Sequence, residues 1–371
     1  MTRHFVSAAI PVVPPPVEEP LLPPAGQRTE HAFLHMDLDG NVIGEVVGNN
    51  VTYGIFLDRP NQVSYEIPVE SRLADIRFTC PYVTDFQYAR NNEIMIAGLH
   101  TEADISLNGT TLQISGQDWK HYFERRVWPF NPVDPGASFF SRVQVDTMDI
   151  ARQILSIALA EPGSPAFTIN FSSSGILTNY RIEPGDSESI LEKVGELSEE
   201  KPGFDWIITP DRQIIGYAPE KGTRVEYPLE KGRNIADIAL TNNGIRASHV
   251  FGFGAGTAKK LGVVVENPLV LRRYDYAQDY GTVIDKDALT RLANRDLAAQ
   301  SNLSLALTIT LMPDAADDFL ENVTIGDTVP VTGDVQGYIY INDYYRIVGI
   351  EGNVSDNGDE TITLTVEIPD A

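Results

Sequence analysis

The side chains that could do chemistry are scattered along this chain. The six histidines, His4, His31, His35, His100, His121 and His249, share neither helical nor metal-ligand spacing. His31 and His35 would meet only in a helix, and their surroundings read as strand, so each histidine is expected to stand alone on the surface or in the core. Cys80 is the single cysteine. It excludes an intramolecular disulfide and a cysteine-rich zinc module, and without an activating histidine it reads as a small buried apolar residue in a strand-rich stretch. Asp37-Leu-Asp39-Gly-Asn41 suggests a calcium loop, but its glycine comes too early and Gly48 stands where a bidentate glutamate is needed. Asp39-Gly40 therefore reads as a hairpin turn. Gly252, Gly254 and Gly256 suggest a dinucleotide loop, yet no amphipathic helix follows to present a dipole to phosphate, and a flexible turn is expected. There is no GxSxG, HExxH, GxxxxGK[ST] or paired CxxC. Carboxylates are so plentiful that a glycosidase-like pair stays open, while any chosen pair is uninformative. No catalytic, metal or cofactor-binding residue is assigned, and no cofactor is expected.

The stretch from Trp119 to Phe140, WKHYFERRVWPFNPVDPGASFF, is dense in aromatics and broken by Pro129, Pro132 and Pro135. A long loop among short ones is more often functional than incidental. Arg125 and Arg126 beside Trp128 and Phe130 form the candidate site, a central plug or intersubunit contact built on cation–π pairs. The alternative is that these aromatics cap the open end of a barrel.

Composition narrows the classes. The chain has 371 residues, with 28 Lys plus Arg against 52 Asp plus Glu and a formal net charge of -24, which repels phosphate backbones. Its length suits two or three domains. No apolar run approaches the roughly 18 residues of a membrane span, and the start, MTRHFVSAAIPVVPPP, has only a short, Pro-broken apolar patch. A soluble protein without a signal peptide, assembled in a cytoplasm, is the expectation.

The elements that must position these residues follow from periodicity. Residues 1–30 form a Pro-rich arm, a strap on a neighbouring subunit or a tail. Residues 31–118 alternate as strands, including IRFTCPYVTDFQYA, with hairpin signals at Asp39-Gly40 and Asn108-Gly109. Residues 119–140 are the aromatic loop. Residues 141–233 read as an α+β subdomain. One helix starts with Thr147 as N-cap; a second buries Ile190, Leu191, Val194 and Leu197 and exposes Glu188, Glu192, Lys193 and Glu196; two short strands turn at Pro210-Asp211. Residues 234–371 return to strand around a helix over Asp285–Ser301. The final stretch reads as four or five short strands that include Val323/Ile325. Turns are expected at Gly326-Asp327, Gly333-Asp334, Asn342-Asp343 and Asn357-Gly358, with Asp327, Asp334, Asp343 and Asp356 at solvated loop ends or ring contacts. The fold class is α+β, mainly β.

The order of pieces resembles a known family, the tail-tip (baseplate) hub proteins of long-tailed bacteriophages, similar in plan to the hub of contractile tails. The resemblance lies in the run from DLDGNVIGEV to LQISGQDWKHYFERRVWPFNP, in the helix with GFDWIITPDRQIIGY, and in DALTRLANRDLAAQSNLSLALTITL through TITLTVEI. It implies two small antiparallel β-barrels with an inserted α/β subdomain, residues 31–118 in the first barrel and the terminal strands in the second. It also implies a homotrimeric ring of pseudo-sixfold symmetry docked on the tail tube. Such a hub would be a structural virion protein at the distal end of the tail, closing the tube and opening for genome ejection. Its partners would be distal tail or tail-tube proteins, the tape-measure protein, other tail-tip proteins and the bacterial cell surface, with phage DNA passing without specific binding. Enzymatic or receptor-binding activity, which some hub proteins carry on C-terminal extensions, is not expected from the resemblance. A cell-wall-degrading tail hydrolase and a carbohydrate-binding tail adhesin are the alternatives.

Overall fold

Most runs that alternate β-branched and aromatic residues fold as strand, and this computed structural model is an α+β, mainly β chain. It describes residues 29–369 except 38–40, 106–108, 130, 132, 200–202, 243–246, 256–260, 269–271, 281–282, 284, 302–304 and 356–358. Most of the N-terminal arm, Phe130, Asp356 and the turns at Asp39-Gly40 and Asn357-Gly358 thus lie outside the described residues, as does Asn108.

The first unit contains β1 (His31–Met36), β2 (Val42–Val47), β3 (Asn49–Phe56), β4 (Gln62–Pro68), α1 (Ile76–Thr79), β5 (Asp85–Arg90), β6 (Glu93–Asp104) and β7 (Thr111–Asp118). Its strands run in the order β3-β4-β7-β6-β5-β1-β2, all antiparallel, so the β1/β2 and β6/β7 pairs form as expected. Phe33, Tyr65, Phe86 and Tyr88 fill its core, with the Phe33 and Tyr65 rings stacked at 3.6 Å between centroids. The segment IRFTC is not the expected strand. Ser71 and Asp75 accept hydrogen bonds from Leu73 N and Arg77 N and start two consecutive helical turns, and Pro81 follows. Cys80 sits half-buried at the end of the second turn instead of in the core.

The middle unit contains α2 (Trp119–Glu124), β8 (Phe140–Asp146), α3 (Thr147–Leu159), β9 (Thr168–Asn170), β10 (Leu177–Ile182), α4 (Ile190–Ser198), β11 (Asp205–Ile208) and β12 (Gln213–Tyr217). Three of these helices and both small sheets share one core around Trp119, Phe123, Ile154, Leu155, Val194 and Trp206. The N-cap of α3 is Asp146, whose carboxylate accepts from Met148 N and Asp149 N, and Thr147 is buried in the first turn. A carboxylate outcompetes the hydroxyl because it also complements the helix dipole. Ser189 and Glu192 form a capping box at α4. Lys193 is not on the solvated face. At 1% exposure its ammonium bridges Asp186 (2.7 Å) and Glu188 (3.1 Å), which fold back over the helix start.

The last part contains β13 (Leu229–Glu230), β14 (Ile235–Asn242), β15 (His249–Phe253), β16 (Gly262–Glu266), β17 (Asp275–Asp279), α5 (Lys286–Ser301), β18 (Leu305–Leu311), α6 (Ala316–Asn322), β19 (Thr328–Val335), β20 (Ile339–Val354) and β21 (Glu360–Glu367). Strands β15, β16 and β17 form their own sheet, and α5 packs Leu289, Ala293 and Leu297 against Val250 and Val263. The glycine-rich stretch therefore joins two antiparallel strands, not a strand to a helix.

The terminal stretch has fewer and longer strands than its turn residues suggest. Val323 ends α6, and Gly326 turns at φ 95° with the Asp327 carboxylate accepting from Thr324 N and Thr223 N. Asp327 is accordingly buried, not a solvated loop end. Gly333 lies inside β19 opposite Ile341, and a Cβ there would come within 2.6 Å of Ile238. The glycine serves close packing, not a turn. The hairpin instead turns at Gln336 and Gly337, both at positive φ, with Asp334 accepting from Gly337 N. Asn342 and Asp343 sit within the 16-residue β20. That strand pairs with β21 on one edge. On the other it pairs with β19 up to Arg346 and with β3 from Gly349, so a single strand is shared by the first and last units in a 13-stranded sheet.

Candidate functional site

The aromatic segment begins where β7 hands the chain to α2. Asp118 caps α2 by accepting from Lys120 N at 3.0 Å, and Lys120 Nζ donates to Leu57 O at 2.6 Å beneath the Trp206 ring. Burial pushes the Asp118 carboxyl up to about 7, against the pull of the Lys120 ammonium, and burial lowers the Lys120 amine. Arg126 donates to Tyr122 Oη, Ser164 Oγ and Ala158 O, tying α2 to the end of α3. Trp128 is 5% exposed, donates from Nε1 to Ser138 O at 2.6 Å and packs on Phe140. Arg125 is exposed, with its guanidinium 5.3 Å from the Tyr82 ring centroid. The four candidates are thus not one patch: Arg126 and Trp128 are turned inward to hold the segment, Arg125 faces out, and Phe130 lies outside the described residues. Among its described residues the segment exposes the side chains of Glu124, Arg125, Val127, Asn131, Asp134, Phe139 and, at 92%, Val133. It is also not one long loop, since its first six residues are α2.

Beside Arg125 lies an open hollow of about 400 Å³ lined by Glu124, Val127, Ser187, Ser189 and Glu192. Its two carboxylates are engaged, Glu124 with His121 Nδ1 at 2.6 Å and Glu192 with Ser189 N at 2.7 Å. Among the described residues no group of three or more His, Cys, Asp or Glu could hold a metal ion, and no helix is long and apolar enough to cross a membrane.

Sequence reasoning missed two kinds of buried polar cluster. The first joins the units. Arg90 on β5 donates from Nε to Glu360 on β21 (3.1 and 3.2 Å) and pairs with Asp317 on α6, while Tyr53 Oη donates to Glu360 Oε1 at 2.8 Å. Arg346, where β20 changes partners, pairs with Asp205 of the middle unit, with Glu220 (3.5 Å) and with Glu367 (3.2 Å). Arg212 reaches Asp85 at 2.8 Å; burial pushes that carboxyl up to about 6 despite the arginine. Carboxylates held this way by arginine are structural ties rather than free acids or bases.

The second cluster corrects the expectation of isolated histidines. Tyr65 Oη lies 2.8 Å from His35 Nε2 and 3.2 Å from His100 Nε2, and the outer nitrogens meet Phe78 O (3.0 Å) and Thr84 Oγ1 (2.9 Å). Burial lowers His35, and burial followed by the neighbouring His35 lowers His100 to about 3, so both rings are neutral near pH 7. One proton order then satisfies both rings and Tyr65, with the Thr84 hydroxyl turned to His100 while Cys80 O, 3.1 Å from the same hydroxyl, accepts from Val83 N and Thr84 N. His35 Nδ1 donates to Phe78 O, Tyr65 donates to His35, His100 Nε2 donates to Tyr65, and Thr84 donates to His100. The legible signal was phase, since Phe33 and His35 share the inward face of β1.

Comparison with known proteins bears on the whole chain. No protein-family model matches the sequence, and no curated protein matches it in sequence. Solved structures do match in fold. The 43 kDa tail protein of prophage MuSo2 from Shewanella oneidensis superposes with a TM-score of 0.66 at 14% identity, over 91% of this chain and 98% of that one. A tail protein from Neisseria meningitidis gives 0.62 at 15%, over 91% and 96%. An Escherichia coli type VI secretion component, described as structurally similar to the bacteriophage T4 tail proteins gp27 and gp5, gives 0.51 at 11%, over 94% and 76%. Each match covers more than nine-tenths of this chain, and the chain has the fold of these phage tail proteins.

Proposed function

We propose that this protein is a structural component of a phage tail, a homotrimeric hub that closes the distal end of the tail tube and opens for genome ejection. The observation that carries the reading is the superposition on two tail proteins, one of them from a prophage, over more than nine-tenths of both chains. The ladder supports it. The first β unit is antiparallel, the last unit's share of the same sheet is so except where β13 runs parallel to β19, and β20 joins the two. Closing each unit into a barrel would protect its edges and present repeated surfaces to a symmetric tube. The net charge of -24 suits a passage that does not hold DNA, with carboxylates lining it. Neighbouring tail-tube, tape-measure and tip proteins are the partners in this reading. A plug or intersubunit contact by the 119–140 segment rests on Arg125, Val127 and Val133, with Trp128 as its inner anchor.

The test is immunogold labelling of assembled particles together with deletion and complementation of the gene. The expected result is label confined to the distal tip, and tails that fail to assemble or to eject DNA without the protein. Label spread along the tube, or normal tails without it, would overturn the hub. Release of soluble sugar or peptide from purified peptidoglycan by the isolated chain would instead establish the hydrolase.

A further inference from the structure

Several sheet faces expose large apolar side chains, and two of them differ in charge. One is the β19/β20 hairpin, where Tyr338 is 71% and Tyr340 65% exposed. Tyr340 stands opposite Asp334, so the aromatic face carries a carboxylate. The other is the outer face of β8 and β10, where Val143 is 69% and Leu177 57% exposed. There Arg181 lies 4.8 Å from the Phe139 ring centroid and also pairs with Glu183, an exposed bridge weak enough to share the guanidinium. The first face is aromatic and acidic; the second is aliphatic with Arg181 as its cation, since Asp146, opposite Leu177, has its carboxylate taken up by the start of α3 and by Ser174 N and Gly175 N. A third exposed face, around Val264 and Phe253 on β15 and β16, has its own ion pairs, His249 with Glu266 at 3.3 Å and Arg273 with Asp275 at 2.8 Å, with Asp279 in register with Phe253, so it offers Asp334 no uncompensated cation. Val143 and Phe139 continue directly from the 119–140 segment.

We propose that these two faces are the halves of one head-to-tail contact between copies of this chain. Tyr338 and Tyr340 of one copy pack on Val143 and Leu177 of the next, and Asp334 meets Arg181. A contact between two different patches is the heterologous kind that can close a ring, because each copy keeps one free half of either sort. Tyrosine suits it, being a rigid anchor that buries a large ring at little entropic cost. The inference rests on the homo-oligomeric reading given above and names its interface.

Disulfide trapping of the purified full chain tests it. In a Cys80→Ser background, the double variant Val143→Cys with Tyr340→Cys should oxidise into a ladder of covalent dimers and trimers, and neither single variant should. Efficient dimers from Tyr340→Cys alone would mean a two-fold contact and overturn the proposal, as would a double variant that stays monomeric. By sedimentation, Tyr338→Ala with Tyr340→Ala should weaken self-association at least tenfold with an unchanged melting temperature. Unchanged association would also overturn it. A chain that labels tail tips but does not cross-link keeps the tail reading and loses the contact. One that cross-links but is absent from tails does the reverse.

Discussion

The proton order through Tyr65 makes the first unit depend on single atoms. Tyr65→Phe would leave His35 Nε2 and His100 Nε2 buried without a partner, and the cost is expected at about 2 to 4 kcal/mol, read as a lowered urea midpoint with an unchanged slope. The same histidines set a pH dependence. His100 takes up its second proton only below about 3 in the folded chain but near its ordinary 6.5 when unfolded. Its contribution is therefore complete above 6.5 and is lost as pH falls toward 3, by up to about 1.4 kcal/mol per pH unit inside that window. Asp118, raised to about 7, acts in the opposite sense as pH rises from 3.8. The useful measurement is thus the stability difference between the wild type and His100→Gln across pH 3–7, which should shrink on acidification. A constant difference would show that His100 titrates normally.

Among the elements, α3 and its cap show how one carboxylate organises a neighbourhood. Asp146 accepts from the first turn of α3 and also from Ser173, Ser174 N and Gly175 N. Burial opposes its ionisation, but those bonds prevail and hold the carboxyl below its usual range. Asp146→Ala should cost about 2 kcal/mol, and amide exchange should accelerate at residues 173–176 as well as in the first turn of α3. Faster exchange in the helix alone would mean that the loop is held by other contacts. The segment after α2 follows similar logic, since the Trp128–Ser138 bond closes it against β8. It was read as a loop because its prolines are plain in the sequence, whereas the helix that opens it depends on Asp118, a residue assigned to the preceding strand.

For the whole molecule, the decisive feature is that the last strands do not form a module of their own. β20 carries the β3 seam, and Arg90, Glu360 and Asp317 tie the same two units beside it. Arg90→Met would leave Glu360 buried without its cation, at an expected cost of about 3 to 5 kcal/mol. Calorimetry should then show the first unit melting ahead of the rest, where the wild type melts as one body. An unaltered single transition would show that the backbone seam alone couples the units.

Alternation and periodicity sufficed to place most strands, the bodies of the helices Thr147–Leu159, Ile190–Ser198 and Lys286–Ser301, though not the Asp146 cap, and a mainly β, α+β class, because period is a local property of side chains. Composition alone disfavoured a nucleic-acid binder. What the sequence could not decide is anything that depends on a neighbour distant in the chain. Gly333 and Asn342-Asp343 are turn formers by chemistry, yet they lie in extended strand because Ile238, Lys231 and the β19 ladder occupy their surroundings. Lys193 is polar by type and buried because Asp186 and Glu188 arrive to pair with it. His35 and His100 are 65 positions apart and share one hydroxyl only because β1, β4 and β6 stand around one core. Local chemistry fixed which elements exist; long-range packing decided which of them are joined and where the candidate side chains point.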